Sequence, residues 1–120
     1  MTGRRYEVAA RVRCAAPPAD VWPLLQDLDR WVAVREANLR VEVLATETPT
    51  TLRYRLVGGL PVHEHEATVT LLRVDEGTDI CWEQSFRPRI PFTGGFLRTR
   101  LESQSAASAT RLAEASGSVA

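Results

Sequence analysis

The sequence predicts an α+β fold, in which an antiparallel sheet of about five strands is followed by a long carboxy-terminal helix, with a short helix pair after strand one. Three observations lead to this prediction. Apolar and polar residues alternate in five segments, which is the period of strands with one buried face. Tight turns separate the later segments, so these strands should run antiparallel. The last segment instead carries apolar residues at helical intervals.

The first predicted strand is the alternating segment from Tyr6 to Cys14. Pro17-Pro18 ends it, and a short helix begins near Pro18, because proline is tolerated in the opening turn of a helix. A second short helix, carrying Trp31, is predicted for Asp29 to Val34. The apolar residues that mark the first helix by their spacing are Val21, Leu24, Leu25 and Leu28.

Four more strands are predicted after the helix pair. Their alternating segments are Leu39 to Ala45, Leu52 to Val57, Val62 to Val74 and Ile80 to Phe86. Gly58-Gly59 turns the chain before the third of these segments, and the turn from Asp75 to Thr78 joins the last two as a hairpin. Each pattern places one set of side chains on a covered face of the sheet.

The predicted carboxy-terminal helix has about twenty residues and ends near Gly117. Its middle, Ser103 to Ser108, is small and polar rather than bulky. Because the facing strands carry aromatic residues, we expect packing there to be loose enough to leave a pocket. The apolar residues at helical intervals are Phe96, Leu97, Leu101, Ala109, Leu112 and Ala113.

Length and composition predict one globular domain over residues 1–120. The fifteen basic residues are all arginine, balance the fifteen acidic residues and lie scattered from Arg4 to Arg111. We therefore expect neither a nucleic-acid partner nor a membrane partner. The charged amino terminus and the lack of a long apolar stretch predict a cytoplasmic protein. Cys14 and Cys81 are typical of buried thiols rather than of a disulfide framework.

Two stretches carry a resemblance to a known family. They are Ala16-Pro17-Pro18-Ala19-Asp20-Val21-Trp22-Pro23-Leu24-Leu25 and the run from Gly77-Thr78 to Pro88, joined to Pro91 and Gly94. With them the chain resembles the polyketide cyclase/dehydratase group of the START-like, or SRPBCC, superfamily. That resemblance implies a helix-grip fold, in which a curved sheet wraps the last helix and a gap between them holds an apolar ligand. It implies no particular reaction.

The chain also departs from that family's pattern. Family members usually place a hairpin between the helix pair and the strand that resembles Leu39 to Ala45, and this chain lacks that edge hairpin. One wall of the pocket would then be lost or supplied by a partner chain. The free edge, Leu39 to Ala45, could also pair with a second copy as a homodimer.

The sharpest candidates for chemistry are His63 and His65. Following the apolar phase back from Leu71 through Val69 and Ala67 places both imidazoles on the covered face. Histidine gives or takes a proton near neutral pH, as an aldol cyclisation or a dehydration requires. Two other interpretations stay open: ordinary histidines at a strand end, or a metal site, for which the sequence offers no third histidine. We predict no metal and no cofactor.

The expected ligand-binding residues lie on the covered faces of their strands. They are Tyr54, Val69, Trp82, Gln84 and Phe86. Gln84 is the most informative, because a neutral amide among inward aromatic residues needs a hydrogen-bond partner, either a buried neighbour or a ligand. The predicted function is binding of a small apolar or aromatic, polyketide-like molecule, with possible cyclisation or dehydration. The alternatives are a non-catalytic carrier or sensor, and a dimerising interaction module.

Overall fold

The computed structural model describes residues 4–27, 31, 40–75 and 77–116. Its elements in chain order are β1 (Tyr6–Cys14), α1 (Pro18–Leu25), β2 (Arg40–Glu47), β3 (Thr51–Gly58), β4 (Val62–Val74), β5 (Gly77–Pro88) and α2 (Gly94–Ala115). The predicted α+β class is confirmed. The second short helix predicted for Asp29 to Val34 lies outside the described residues, apart from Trp31.

The five strands form one antiparallel sheet in the order β1-β5-β4-β3-β2. Trp82 on β5 lies opposite Ala10 on β1 and Val69 on β4, and Tyr54 on β3 lies opposite Ala67 on β4. Because directly paired residues project to the same side of a sheet, these positions share one face, called here the inner face. The alternation of β3, β4 and β5 therefore predicted the buried side correctly at these positions.

A bulge interrupts β4 near its beginning. Val62 and His63 pair with Pro88 and Arg87, but the register shifts by one residue before Glu66. Glu64 takes a positive φ of 53° at the shift. The inserted residue breaks the alternation, so His65 is buried whereas His63 is exposed. The prediction that both imidazoles project from the covered face is therefore wrong for His63.

Helix α2 packs across β1 and β5. Its buried side chains change in character along its length. Leu97 and Leu101 belong to an apolar cluster around Phe86, whereas Ala109 and Leu112 belong to a larger cluster around Trp82. Between these two parts of the helix lie Gln104 and Ser105, both buried and both polar. A polar layer thus separates the two apolar clusters.

Part of the small polar middle of α2 has a structural role. The hydroxyl of Ser108 donates a hydrogen bond to the carbonyl oxygen of Trp31, and Arg111 donates to the same oxygen over 2.8 Å. The indole Nε1 of Trp31 in turn donates to the carbonyl oxygen of Leu24 over 2.7 Å. Ser108 is fully buried. It therefore connects α2 to the region that follows α1, with no bulky side chain between them.

Strand β2 pairs with β3 and forms the far edge of the sheet. All its residues except Val41 are exposed, and Val43, predicted to face a covered side, is 49% exposed. The alternation predicted this strand correctly but not its covered face, since no described helix packs over this edge of the sheet. Pairing of a second copy along this edge stays a prediction. Two register shifts interrupt β2, and such irregularities oppose the addition of another strand.

Candidate ligand-binding site

The polar layer is a chain of four buried side chains on the inner face. His65 Nε2 lies 2.7 Å from Oε1 of Gln84, and the side-chain nitrogen of Gln84 donates to Oε1 of Gln104 over 2.7 Å and to the Ser105 hydroxyl over 2.6 Å. β4, β5 and α2 each contribute to it. The partner that the sequence required for Gln84 is therefore present within the protein.

The hydrogen bonds of His65 determine its tautomer. The backbone N–H of Leu56 donates to Nδ1 over 3.0 Å, so Nδ1 carries a lone pair. The proton of the neutral ring is then on Nε2, which donates to the Gln84 oxygen. This arrangement also orients the Gln84 amide, whose nitrogen faces α2. His65 is consequently held as a hydrogen-bond donor directed along the inner face.

Burial lowers the pKa of His65 below its ordinary value of 6.5. The hydrogen bond to Gln84 acts in the opposite direction, and of the neighbouring charges Arg5 lowers the pKa while Glu66 raises it. The imidazole is therefore neutral at neutral pH. It can polarise a carbonyl group by donating from Nε2. It can accept a proton at Nδ1 only by giving up the Leu56 hydrogen bond.

This lowered pKa predicts a dependence of stability on pH. In the unfolded chain His65 takes up a proton as pH falls through about 6.5, whereas the folded state resists protonation until a lower pH. The free energy of unfolding should therefore fall below pH 6.5, with a slope of up to about 1.4 kcal/mol per pH unit from this group. Urea unfolding above and below pH 6.5 measures it. His65→Gln should remove this slope, and the matched change His63→Gln, at an exposed position, should retain it.

Tyr54 and Trp82 form a second buried contact on the inner face. The indole Nε1 of Trp82 donates to the Tyr54 hydroxyl oxygen over 2.9 Å, and the two rings meet edge to face at 6.3 Å between centroids. Burial raises the pKa of Tyr54, so the phenol stays neutral. The Tyr54 ring also lies 6.0 Å from the ring of His65. The two polar contacts are therefore neighbours on one surface.

The predicted ligand-binding residues are closely packed in this structure. Tyr54, Val69, Trp82 and Phe86 have no exposed surface, and Gln84 has 3%. The inner face thus brings all five together with His65, but as packed side chains. Occupation of this region by a guest requires α2 and the sheet to separate locally.

Open depressions with volumes of about 340 and 430 Å³ occur in the described part of the surface. Ala9 and Glu83 belong to both, and most of the other lining residues also project from the outer face of the sheet. These depressions therefore lie mainly on the side opposite the predicted pocket. Among the described residues, no three His, Cys, Asp or Glu side chains converge as ligands of a metal ion would.

Gln104 and Ser105 were not among the predicted site residues. The available signal was the small polar run from Ser103 to Ser108, from which we predict loose packing above. Polar residues in the buried stripe of a helix need partners, and an inward glutamine on a facing strand is such a partner. Considered together, the polar run of α2 and the inward Gln84 predict the contact between Gln84 and α2.

Comparison with solved structures gives the architecture its name. The chain is similar to the Aha1 dimer from Colwellia psychrerythraea (TM-score 0.70, 14% identity, 92% of this chain and 95% of that one). It is also similar to the ZhuI aromatase/cyclase from Streptomyces sp. R1128 (TM-score 0.67, 16% identity, 94% of this chain and 94% of that one). A third similar structure is norcoclaurine synthase from Thalictrum flavum (TM-score 0.66, 10% identity, 96% of this chain and 98% of that one). No protein-family model and no curated protein sequence matches the chain.

These similarities establish the fold. The chain has the helix-grip fold shared with aromatase/cyclases and norcoclaurine synthase, as the sequence resemblance implied. In the described part of the chain, no helix combines the length and the apolar character needed to cross a membrane. The ligand and any reaction must be argued from this chain's own residues.

Proposed function

We propose that this chain binds a small apolar or aromatic, polyketide-like molecule between the inner face of the sheet and α2. The observation that carries the proposal is the buried polar layer of His65, Gln84, Gln104 and Ser105 between two apolar clusters. A layer of this kind is not needed to fill a core, since apolar side chains of similar volume would do so at less cost in desolvation. It supplies polar anchors where an apolar molecule would lie.

The layer offers the hydrogen bonds that a carbonyl-bearing guest needs. If the guest displaces the Gln84 oxygen, the Nε2–H of His65 can donate to a guest carbonyl group. The Gln84 amide can rotate to donate as well. The rings of Trp82 and Phe86, in the apolar clusters on the two sides of the polar layer, provide apolar contact for the guest. A flat guest with one or two carbonyl groups therefore fits this chemistry better than a pure hydrocarbon.

The guest would enter at the end of the sheet where the Phe86 cluster lies. Tyr6, Leu56 and Leu60 are only partly buried there and pack against that cluster. On α2, Ser105 and Ser108 are buried and small, so a small outward shift of the helix would open space beside them. At the opposite end, Trp22, Leu25 and Trp31 close the larger cluster.

Binding is tested with a matched pair of guests, an aromatic ketone and the hydrocarbon of the same shape. We expect wild-type protein to bind the ketone more tightly, by about tenfold, because one additional hydrogen bond contributes about 1 kcal/mol or more. Calorimetric titration and thermal shift measure the two affinities. Gln84→Met keeps the volume but leaves the Nε2–H of His65 without its internal acceptor, so it should increase the preference for the ketone. The control Glu83→Met, at an exposed position of the same strand, should show the wild-type preference. Absence of binding by either guest would contradict the proposal.

Cyclisation or dehydration of the guest is the second candidate function, and the neutral Nε2–H of His65 on the inner face favours it. A neutral imidazole that donates to a carbonyl group stabilises the enolate formed during an aldol step. A flexible substrate held in a folded shape would react faster through proximity alone. We assign any proton transfer to His65 rather than to His63, because His63 is exposed at the beginning of β4.

A further inference from the structure

Three large apolar side chains are exposed where β5 connects to α2. Ile90 is 51% exposed, Phe96 66% and Phe92 completely. They lie within residues 89–96, called here the aromatic tip. Scattered exposed apolar residues are normal on a protein surface, but three within one short connection form a local apolar surface. No part of the proposed guest-binding site uses Phe92 or Phe96.

Phe92 is unfavourable in two respects. Its φ is 67°, in the left-handed region, which is unfavourable for a residue with a Cβ. Its ring is also fully exposed to solvent, so burial does not compensate for that cost. Glycine or asparagine would occupy this position with less strain. A bulky aromatic side chain that is strained and exposed is explained by contact with something outside the described protein.

The charge around the aromatic tip is positive. The segment from Arg87 to Leu101 contains four arginines and no acidic residue, although the whole chain has no net charge. Arg87 pairs with Glu64, but Arg89 and Arg98 are exposed. The guanidinium of Arg4 lies over the ring of Tyr6, which fills the space beside Gly94. Two exposed arginines, Arg89 and Arg98, thus flank the exposed rings in the sequence.

We propose that the aromatic tip docks on an anionic lipid surface, with Phe92 and Phe96 inserted among the lipids and Arg89 and Arg98 at the headgroups. Exposed aromatic residues flanked by arginines have the composition of an interfacial anchor. A lipid surface fits better than an acidic protein, because Phe92 projects fully into solvent instead of lining a groove that a partner's side chain could fill. The scattered arginines of the sequence predicted no membrane partner, but this segment lacks the acidic residues that balance them elsewhere.

The test is sedimentation of the purified chain with vesicles, without any guest. Vesicles of phosphatidylcholine alone are compared with an equal mixture of phosphatidylcholine and phosphatidylserine. We expect binding to the mixture and little binding to phosphatidylcholine. Phe92→Asn, which relieves the backbone strain, should weaken binding by roughly tenfold, because the inserted ring no longer buries its apolar surface among the lipids. Arg89→Gln with Arg98→Gln should weaken it by a similar factor and reduce its salt dependence.

The controls lie at the other end of the sheet. Leu72→Thr removes an exposed apolar side chain on β4, and Arg73→Gln removes an exposed arginine beside it. Both should bind the mixed vesicles like the wild-type protein. Failure of the wild-type protein to sediment with either vesicle would overturn the proposal and favour an acidic protein as the occupant of the tip. Equal losses in Phe92→Asn and Leu72→Thr would also overturn it. Neither result depends on guest binding.

Discussion

Replacing Gln84 with leucine should lower the free energy of unfolding by about 2–3 kcal/mol, although leucine has a similar volume and is more apolar. Gln84 makes three hydrogen bonds in the interior, one from His65 and two to α2. In the variant the Nε2–H of His65 loses its acceptor while remaining buried, and the helix loses its polar contact with β5. Urea unfolding monitored by tryptophan fluorescence measures the loss.

The matched control is Glu83→Leu. Glu83 precedes Gln84 on β5 and is exposed on the other side of the strand. Its replacement should change the free energy of unfolding by no more than about 0.5 kcal/mol, as is usual for surface positions. If Gln84→Leu were as stable as the wild-type protein, the polar layer would contribute nothing to the attachment of α2. The hydrogen bonds described above would then not explain the helix packing.

The second large effect concerns turnover of a cyclisable guest. His65→Gln should leave guest affinity within a few-fold of the wild-type value, because glutamine can also donate a hydrogen bond, and should reduce the rate of cyclisation or dehydration by about 10²–10⁴-fold. This follows if the imidazole assists the proton movements of the reaction. Rates and affinities measured on the same poly-keto guest separate the two effects.

His63→Gln is the control for that experiment. His63 is exposed beyond the bulge of β4, whereas His65 is buried on the inner face. We expect the His63 variant to retain turnover within a few-fold. If His65→Gln turns over the guest at the wild-type rate, acid–base assistance by His65 is excluded. Any catalysis must then come from holding the guest in a reactive shape.

The alternation of apolar residues predicted β1 and β4 with their observed bounds and also predicted the carboxy-terminal helix. These elements have strong periodicity, and their burial follows it apart from the bulge near the beginning of β4 and the last residues of that strand. The bulge at Glu64 was not predictable in the same way. A positive φ at a glutamate has no glycine to signal it, and the single inserted residue changes the environment of His63.

The partners of Gln84 show a second limit. The sequence indicated that an inward glutamine needs a partner, but which helical residues face it depends on how α2 lies across β1 and β5. That orientation results from packing over the whole core and has no local signal. The exposure of β2 also has no local signal. Its sequence alternates as in a strand with one buried face, but no helix among the described residues covers that face.

The central claim, that a guest occupies the region between the sheet and α2 at the polar layer, is tested most directly by NMR of the His65 ring nitrogens and the Gln84 side-chain amide. Without guest, Nε2 should carry the ring proton and Nδ1 should be unprotonated. Addition of the aromatic ketone should shift the resonances of Nε2 and of the Gln84 amide, since both exchange an internal hydrogen bond for one to the guest. Saturating ketone that leaves both groups unchanged, while resonances elsewhere move, would contradict the account.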